Sequence, residues 1–322
     1  MLLAAGRGVR FRPVTEAIPK PLFPYLNVPL LEAHLAGLAR AGVGEVGVNL
    51  HHLADQIERH LRDRAPDLPQ LAFFHEPKIL GTAGALANAA AFLSGDDFFV
   101  VNADVAIRPD FAALLARHRE TGRAATLLAV ENREPHRYTP LQAEGDRIAR
   151  FGGAGERPLL YTGVGVLAPR LLPRIPLGER SLVTDLWEPL LAEGKEEIGW
   201  VPHHGPFADL GRACDFLRAT LETLERGGPF PEGSGTFHRE SRVLSLGPMA
   251  DLDAERSVLG RARVHASARI RESAVWDGAE IGAGARIVRC VVAGGRLEPD
   301  ARHEDALLWR GPDGMAVAHT LA

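Results

Sequence analysis

Four cations, Arg7, Arg10, Arg12 and Lys20, fall within fourteen residues of a chain whose formal net charge is −4. Gly6 and Gly8 lie among them. Glycines let a backbone approach a ligand closely and aim its N–H groups at it. Cations beside such amides suit a polyphosphate. Lysine is scarce, with 3 Lys (20, 78 and 195) against 34 Arg, so Lys20 marks a place where a compact ammonium is wanted instead of a planar fork. Two common phosphate motifs are excluded. Phe11 stands where a dinucleotide fingerprint needs its third small residue, and no G-x-x-x-x-G-K-[ST] occurs. Two carboxylates complete the candidate chemistry. Asp104 follows the apolar run Phe98–Val101 through Asn102 and Ala103, and Asp209 precedes a helical stretch that begins at Arg212. Each has a bland alternative as a turn or helix-capping residue. The functional alternative is Mg²⁺, which takes one or two carboxylates together with substrate phosphates.

The elements that must position these groups alternate along the chain. Leu2–Ala5 reads as a short buried strand, with the Gly- and Arg-rich loop 6–24 after it. Leu30, Leu31, Leu35 and Leu38 share a helical stripe that stops at Gly42. Strands follow at Val46–Leu50, Leu71–Phe74 and Phe98–Val101, alternating with helices over Leu53–Leu61, Ala83–Leu93 and Phe111–His118. Repeated β-α units imply an α/β fold with a mostly parallel sheet, in which ligands bind at the carboxyl ends of the strands. Gly81–Gly84 opens one of these helices, so its N–H groups are candidates for a base edge or phosphate. Further strands at Ala125–Val130, Tyr161–Leu167 and Ile198–Pro202, with a hairpin around Glu144-Gly145-Asp146, make the sheet mixed. Helices over Leu182–Ala192 and Arg212–Glu225 complete this part.

A turn-rich stretch then marks a boundary, giving a domain over 1–226, a linker over 227–240 and a second domain over 241–322. Val258, Val264, Ile270 and Trp276 recur at six-residue spacing, and Ile281 and Ile287 continue the pattern after a one-residue slip. Such a repeat with small residues between is the mark of a β-helix, each apolar residue entering a narrow shaft. The run covers only about forty residues, which predicts roughly two coils.

Composition narrows the function. The acidic balance argues against nucleic acid or an anionic membrane as the main partner, and no apolar run approaches the ~20 residues of a membrane span. Cys214 and Cys290 are too far apart for a disulfide framework or a cysteine zinc site, and the histidines lack metal-site spacing. A cytoplasmic protein is expected.

The order of the segments carries more. Leu3-Ala4-Ala5-Gly6-x-Gly8-x-Arg10, then Pro13, Thr15 and Pro19-Lys20-Pro21-Leu22-x-Pro24, resembles the signature of the sugar nucleotidyltransferases. Glu76-Pro77 with Leu80-Gly81-Thr82-Ala83-Gly84, Val101-Asn102-Ala103-Asp104, Tyr161-Thr162-Gly163-Val164-Gly165 and Phe207-Ala208-Asp209-Leu210-Gly211 are similar to later segments of that family, in order. The resemblance implies a Rossmann-like nucleotidyltransferase domain followed by a short left-handed β-helix, and transfer of a nucleoside monophosphate from an NTP to a sugar-1-phosphate. It implies Arg10 and Lys20 as catalytic cations and Asp104 and Asp209 as ligands of Mg²⁺. Leu3, Ala4, Ala5, Gly6, Gly8, Glu76, Gly81 and Thr82 are implied at the nucleotide, and Asn102, Glu156, Arg157, Thr162 and Gly163 at the sugar phosphate. Two departures touch the sugar side: Glu156-Arg157-Pro158 stands where the family commonly has Glu-Lys-Pro, and Thr139 where it has a glycine. GTP with mannose-1-phosphate is the leading pair, with uridylyl or thymidylyl transfer as the alternative and a non-catalytic regulatory homologue as the alternative of another class. The β-helix is too short, with His265 its only histidine in the hexad run, to favour a second acyltransferase activity; a structural role or self-association is expected of it.

Overall fold

The computed structural model describes residues 1–64, 68–153, 158–194, 197–249 and 252–321. Compactness groups the chain into two units, Met1–Gly6 with His34–Phe207, and Arg7–Ala33 with Ala208–Ala322. The expected division at 227–240 is one along the chain, whereas this grouping sets the Arg-rich loop and the helix before residue 227 with the C-terminal strands.

The first unit is built on one nine-stranded sheet. In chain order its elements are β1 (Leu2–Leu3), α1 (Leu30–Arg40, in this unit from His34 on), β2 (Glu45–Leu50), α2 (Ala54–Asp63), β3 (Gln70–His75), α3 (Gly81–Asn88), α4 (Ala90–Leu93), β4 (Phe98–Asn102), β5 (Val105–Ile107), α5 (Phe111–Thr121), β6 (Ala125–Glu131), β7 (Leu141–Glu144), β8 (Arg147–Phe151), β9 (Leu159–Leu167), α6 (Glu188–Glu193) and β10 (Ile198–Pro202). The sheet order is β3-β2-β1-β4-β9-β6-β10-β8-β7. The first four strands are parallel; β9 runs antiparallel to both β4 and β6. Because β1 is flanked by β2 on one side and β4 on the other, the strand order reverses between β1 and β4. That is the topological switch point, where open α/β sheets form their ligand crevice.

The amphipathic patterns bury as expected. Ile57 and Leu61 of α2 are fully buried, and Leu86, Val100, Leu127, Trp187 and Ile198 meet in the core of this unit. The single helix expected over Ala83–Leu93 is two, interrupted at Ala89, and β1 stops at Leu3 instead of Ala5.

In the second unit the loop after Gly6 is ordered by three short 3₁₀ turns, Val9–Phe11, Val14–Glu16 and Lys20–Leu22. Helix α7 (Ala213–Arg226) is followed by three parallel ladders that make a β-helix. On the first ladder Val258 pairs with Ala274, Ala274 with Val291 and Val291 with Leu307, a step of 16 or 17 residues. Leu244 lies below Val258, so the ladder makes four steps, where the hexads suggested about two coils. The inward residues explain the shortfall. Val264, Ile270, Ile281 and Ile287 enter the shaft, but on the first face the inward residues are Leu259, Val275 and Val292. Val258 and Trp276 face outward, Val258 onto Leu26 and Leu224 and Trp276 onto Phe11, Phe23 and Phe216.

Candidate active site

In the first unit the register of the central strands sets one row of residues. Leu3 lies opposite Asn49 on one side and Asn102 on the other. Val164 pairs with Val101, which brings Gly163 beside Asn102. Gly163 sits at φ +80, at an irregularity in β9, and a Cβ there would lie 2.5 Å from the Asn102 amide nitrogen. Glycine is what lets the Asn102 side chain lie across that strand.

The chain leaves β1 at this row. The N–H of Ala4 donates to Asn49 Oδ1 at 2.7 Å, and the N–H of Ala103 donates to the Leu3 carbonyl at 3.0 Å. The amides of Ala5 and Gly6 make no hydrogen bond among the described residues, although Ala5 is buried. Buried backbone donors are nearly always paired, so the Ala5 amide is suited to a ligand's acceptor, and the Gly6 amide beside it is exposed. Glu76 is buried and its carboxylate is engaged at both oxygens, by Asn49 Nδ2 at 2.7 Å and the Leu80 N–H at 2.9 Å.

The Gly81–Gly84 turn is held by its own unit. Ala83 and Gly84 donate to the Arg180 carbonyl, and Leu182 N–H donates to Thr82 Oγ1. The Ala83 and Gly84 amides expected for a base or phosphate are therefore spent on residue 180. Gly81, at φ +70, has no room for a Cβ, which would stand 2.4 Å from that same carbonyl. Thr162 is buried and donates through Oγ1 to the Leu128 carbonyl at 2.8 Å. Glu156 and Arg157 lie outside the described residues.

Asp104 lies in the two-residue turn, Ala103–Asp104, that joins β4 to β5. Beside it, His34 is buried and its Nε2–H donates to the Val105 carbonyl at 3.0 Å. Burial lowers the His34 pKa to about 4, against an opposing pull from that carbonyl and the Asp104 charge. Between pH 6.5 and 4 the unfolded chain therefore binds more protons at this residue than the folded one. Stability is full above about pH 6.5 and declines as pH falls toward 4, by about 3 kcal/mol at most. Melting curves across this window should fall more steeply for the wild type than for His34→Gln, which keeps a donor but does not titrate. Parallel profiles would remove His34 as the cause.

In the second unit the cations meet a carboxylate. Gly8 is left-handed, with Thr15 packed where a Cβ would be, and Thr15 Oγ1 donates to the Gly8 carbonyl. This closes the loop so that Phe11 is buried while Arg10 is exposed. The Arg10 guanidinium lies across Gly211 and stands 3.7 Å from Asp209 Oδ2. Lys20, only 4% exposed, places Nζ 3.9 Å from Asp209 Oδ1. Asp209 ends a short strand, Phe207–Asp209, and α7 is capped by Arg212, so the capping alternative for Asp209 does not apply. Asp104 thus belongs to the first unit, and Asp209, Gly8, Arg10 and Lys20 to the second.

No group of three or more His, Cys, Asp or Glu side chains is poised to hold a metal among the described residues. Mg²⁺ in phosphate-transfer sites does not need one, since it takes one or two carboxylates and fills its shell with water and phosphate oxygens. The contacts of Asp209 with Arg10 and Lys20 are longer than hydrogen bonds. Asp209, a single carboxylate at a strand end with Arg10 and Lys20 near it, is the kind of oxygen donor that such an ion takes.

Sequence reasoning did not single out Asn49, because its importance comes from two partners distant in the chain. Its position in the apolar strand Val46–Leu50 was the available signal: a buried amide at a strand's carboxyl end needs partners.

The family model for nucleotidyl transferases matches residues 1–167. The chain is 30% identical over 236 residues to the mannose-1-phosphate guanylyltransferase catalytic subunit beta of Xenopus tropicalis, covering 70% of this chain and 64% of that protein. It therefore spans a little under two thirds of that relative's length. A probable mannose-1-phosphate guanylyltransferase 1 of Oryza sativa is 30% identical over 98% of this chain and 87% of its own. Among solved structures, HddC from Yersinia pseudotuberculosis complexed with GMP-PN superimposes with a TM-score of 0.58 at 23% identity, over 68% of this chain and 96% of that one. A putative glucose-1-phosphate thymidylyltransferase from Bacillus anthracis gives a TM-score of 0.62 at 18% identity, over 72% and 97%. These structures share the fold. The family match spans more than half of the chain, and the chain belongs to the nucleotidyl transferase family.

Proposed function

We propose that the chain transfers a nucleoside monophosphate from an NTP to a sugar-1-phosphate, with GTP and mannose-1-phosphate as the pair. The observation that carries this reading is the loop leaving β1 at the switch point. It presents the amides of Ala5 and Gly6 and continues into Arg10 and Lys20, which flank Asp209. The mannose-1-phosphate guanylyltransferases among the relatives support the choice of substrates.

A sugar-phosphate oxygen attacks the α-phosphorus in line. The new P–O bond forms as the bond to the β-phosphate bridging oxygen breaks, and pyrophosphate leaves with the electron pair. Such transfers need positioning and charge stabilisation more than a covalent intermediate. Arg10 takes the departing β- and γ-phosphates and Lys20 the phosphates nearer the reacting centre. Leu3, Ala4, Ala5, Gly6 and Gly8, with the Gly81–Thr82 turn, frame the nucleotide. Asn102, Glu156, Arg157, Thr162 and Gly163 border the sugar phosphate, Thr162 through its main chain. Asp104 and Asp209 are the carboxylates assigned to Mg²⁺, which when bound offsets phosphate charge. We place the protein in the cytoplasm; no helix among the described residues is long and apolar enough to cross a membrane.

Pyrophosphate release across five NTPs and a panel of sugar-1-phosphates tests this reading. The GTP and mannose-1-phosphate combination should respond, and Asp104→Asn should lower it by roughly a hundredfold or more. A different bright combination would reassign base or sugar. A dark grid with NTP binding intact would replace the enzyme by a non-catalytic nucleotide-binding homologue.

A further inference from the structure

We infer that Asn49 and Glu76 are positioning residues that set the shape of the nucleotide loop through a buried polar relay; this rests on the nucleotide reading above. The family resemblance implies Glu76 at the nucleotide itself, and the hydrogen bonds of its carboxylate point to a different task. Its side chain is 3% exposed, as is that of Asn49. The relay runs from the Ala4 N–H to Asn49 Oδ1, from Asn49 Nδ2 to Glu76 Oε1, and from the Leu80 N–H to Glu76 Oε2. Its two ends are the segment that leaves β1 and the residue that precedes the Gly81 turn. The Nδ1–H of His51 donates to the Glu76 carbonyl at 2.7 Å, and Glu76 N–H donates to the Leu50 carbonyl at 2.8 Å, so the backbone beneath the carboxylate is fixed as well. Donors surround Glu76 and it answers each with an oxygen. A carboxylate occupied in this way serves the loops on either side of it.

The directions of these bonds give a test that separates positioning from contact. Glu76→Gln has one acceptor for two donors, so either Asn49 Nδ2 or the Leu80 N–H must face an NH₂ group. Asn49→Asp keeps the bond from Ala4 but sets two carboxylates against each other. The double variant, Asn49→Asp with Glu76→Gln, restores every bond. The new carboxylate at position 49 accepts from the Ala4 N–H and from the new side-chain NH₂ at position 76. The amide oxygen at position 76 then accepts from the Leu80 N–H. The negative charge has crossed to the other partner and the relay is whole.

We therefore expect each single variant to raise the NTP KM by roughly ten- to a hundredfold, with kcat within about threefold of wild type. The double variant should return to within about threefold of the wild-type KM. Hydrogen exchange at the Ala4 and Leu80 amides, measured without substrate, should speed up in the singles and recover in the double. A double variant as impaired as Glu76→Gln, with amide protection recovered, would overturn the inference by showing that the Glu76 charge meets the nucleotide. Single variants with unchanged exchange and KM would overturn it too. A wild-type chain that turns over no substrate pair would strike the proposed function instead, while the exchange data still read the relay.

Discussion

Exchanging Lys20 for methionine is expected to lower kcat/KM for the proposed transfer by roughly 10²–10³-fold, while the melting temperature moves by only a few degrees. The ammonium is held inside the protein, 4% exposed, where a positive charge acts on a nearby phosphate with far less screening than in water. Its place is set by the Lys20–Leu22 turn, in which the Phe23 N–H donates to the Lys20 carbonyl at 2.9 Å. Methionine retains most of the stem's apolar length and removes the charge, so packing survives and electrostatics do not. Asp209 also has Arg10, 3.7 Å away in the wild type, to offset its charge, which limits the expected cost to the fold. Lys20→Arg should recover less than about a tenth of the activity, because a planar guanidinium demands more width than a buried ammonium. Initial rates of pyrophosphate release, read beside thermal melts, decide the matter. A methionine variant within about threefold of wild type would remove Lys20 from the site.

The parts of this site that were legible in the sequence are those fixed by local pattern. The apolar run Phe98–Val101 places Asp104 near a strand's end because so short an apolar run, alternating with helical segments, reads as a buried strand of a parallel sheet, and β4 bears this out. The cation-rich loop stood out because charge and glycine spacing are visible residue by residue. Burial of Lys20 was not visible, since its loop is packed by Phe216 and Trp276, which lie far along the chain. Trp276 shows the limit most clearly. Its spacing from Val264 and Ile270 matches a shaft residue, yet the coils step by 16 or 17 residues, short of three full hexads. Strict hexads therefore drift out of register, and on the first face the residue one place earlier, Val275, points inward. A period counted along one line could not show which face had slipped.

That slip gives Trp276 its consequence. Its ring centroid lies 4.9 Å from that of Phe23, 5.5 Å from Phe216 of α7 and 6.4 Å from Phe11. The indole is 4% exposed and its Nε1 has no hydrogen-bond partner among the described residues, so its role there is apolar packing. Phe11 follows Arg10 directly, and Phe23 caps the turn that begins at Lys20. Asn27 extends the attachment, donating to the carbonyls of Ser234 and Leu259, and Tyr25 Oη donates to the Ala219 carbonyl of α7. The loop that carries both cations thus takes its shape from α7 and the β-helix. Trp276→Ala should cost about 3–5 kcal/mol of stability, the usual cost of emptying an aromatic site. It should also lower kcat/KM by about tenfold at temperatures well below its own melting point, because Phe11 and Phe23 lose the surface that seats them. Ile287→Ala supplies the comparison. Ile287 is fully buried inside the shaft, and its loss should cost about 2–5 kcal/mol with activity unchanged in the folded protein. Trp276→Phe, which keeps a ring, should restore most of the activity. If Trp276→Ala and Ile287→Ala lose stability alike and both turn over at the wild-type rate, the β-helix carries no part of the loop's geometry. If only the Trp276 variant is slow, the C-terminal coils act on the reaction through the residues beside Arg10 and Lys20.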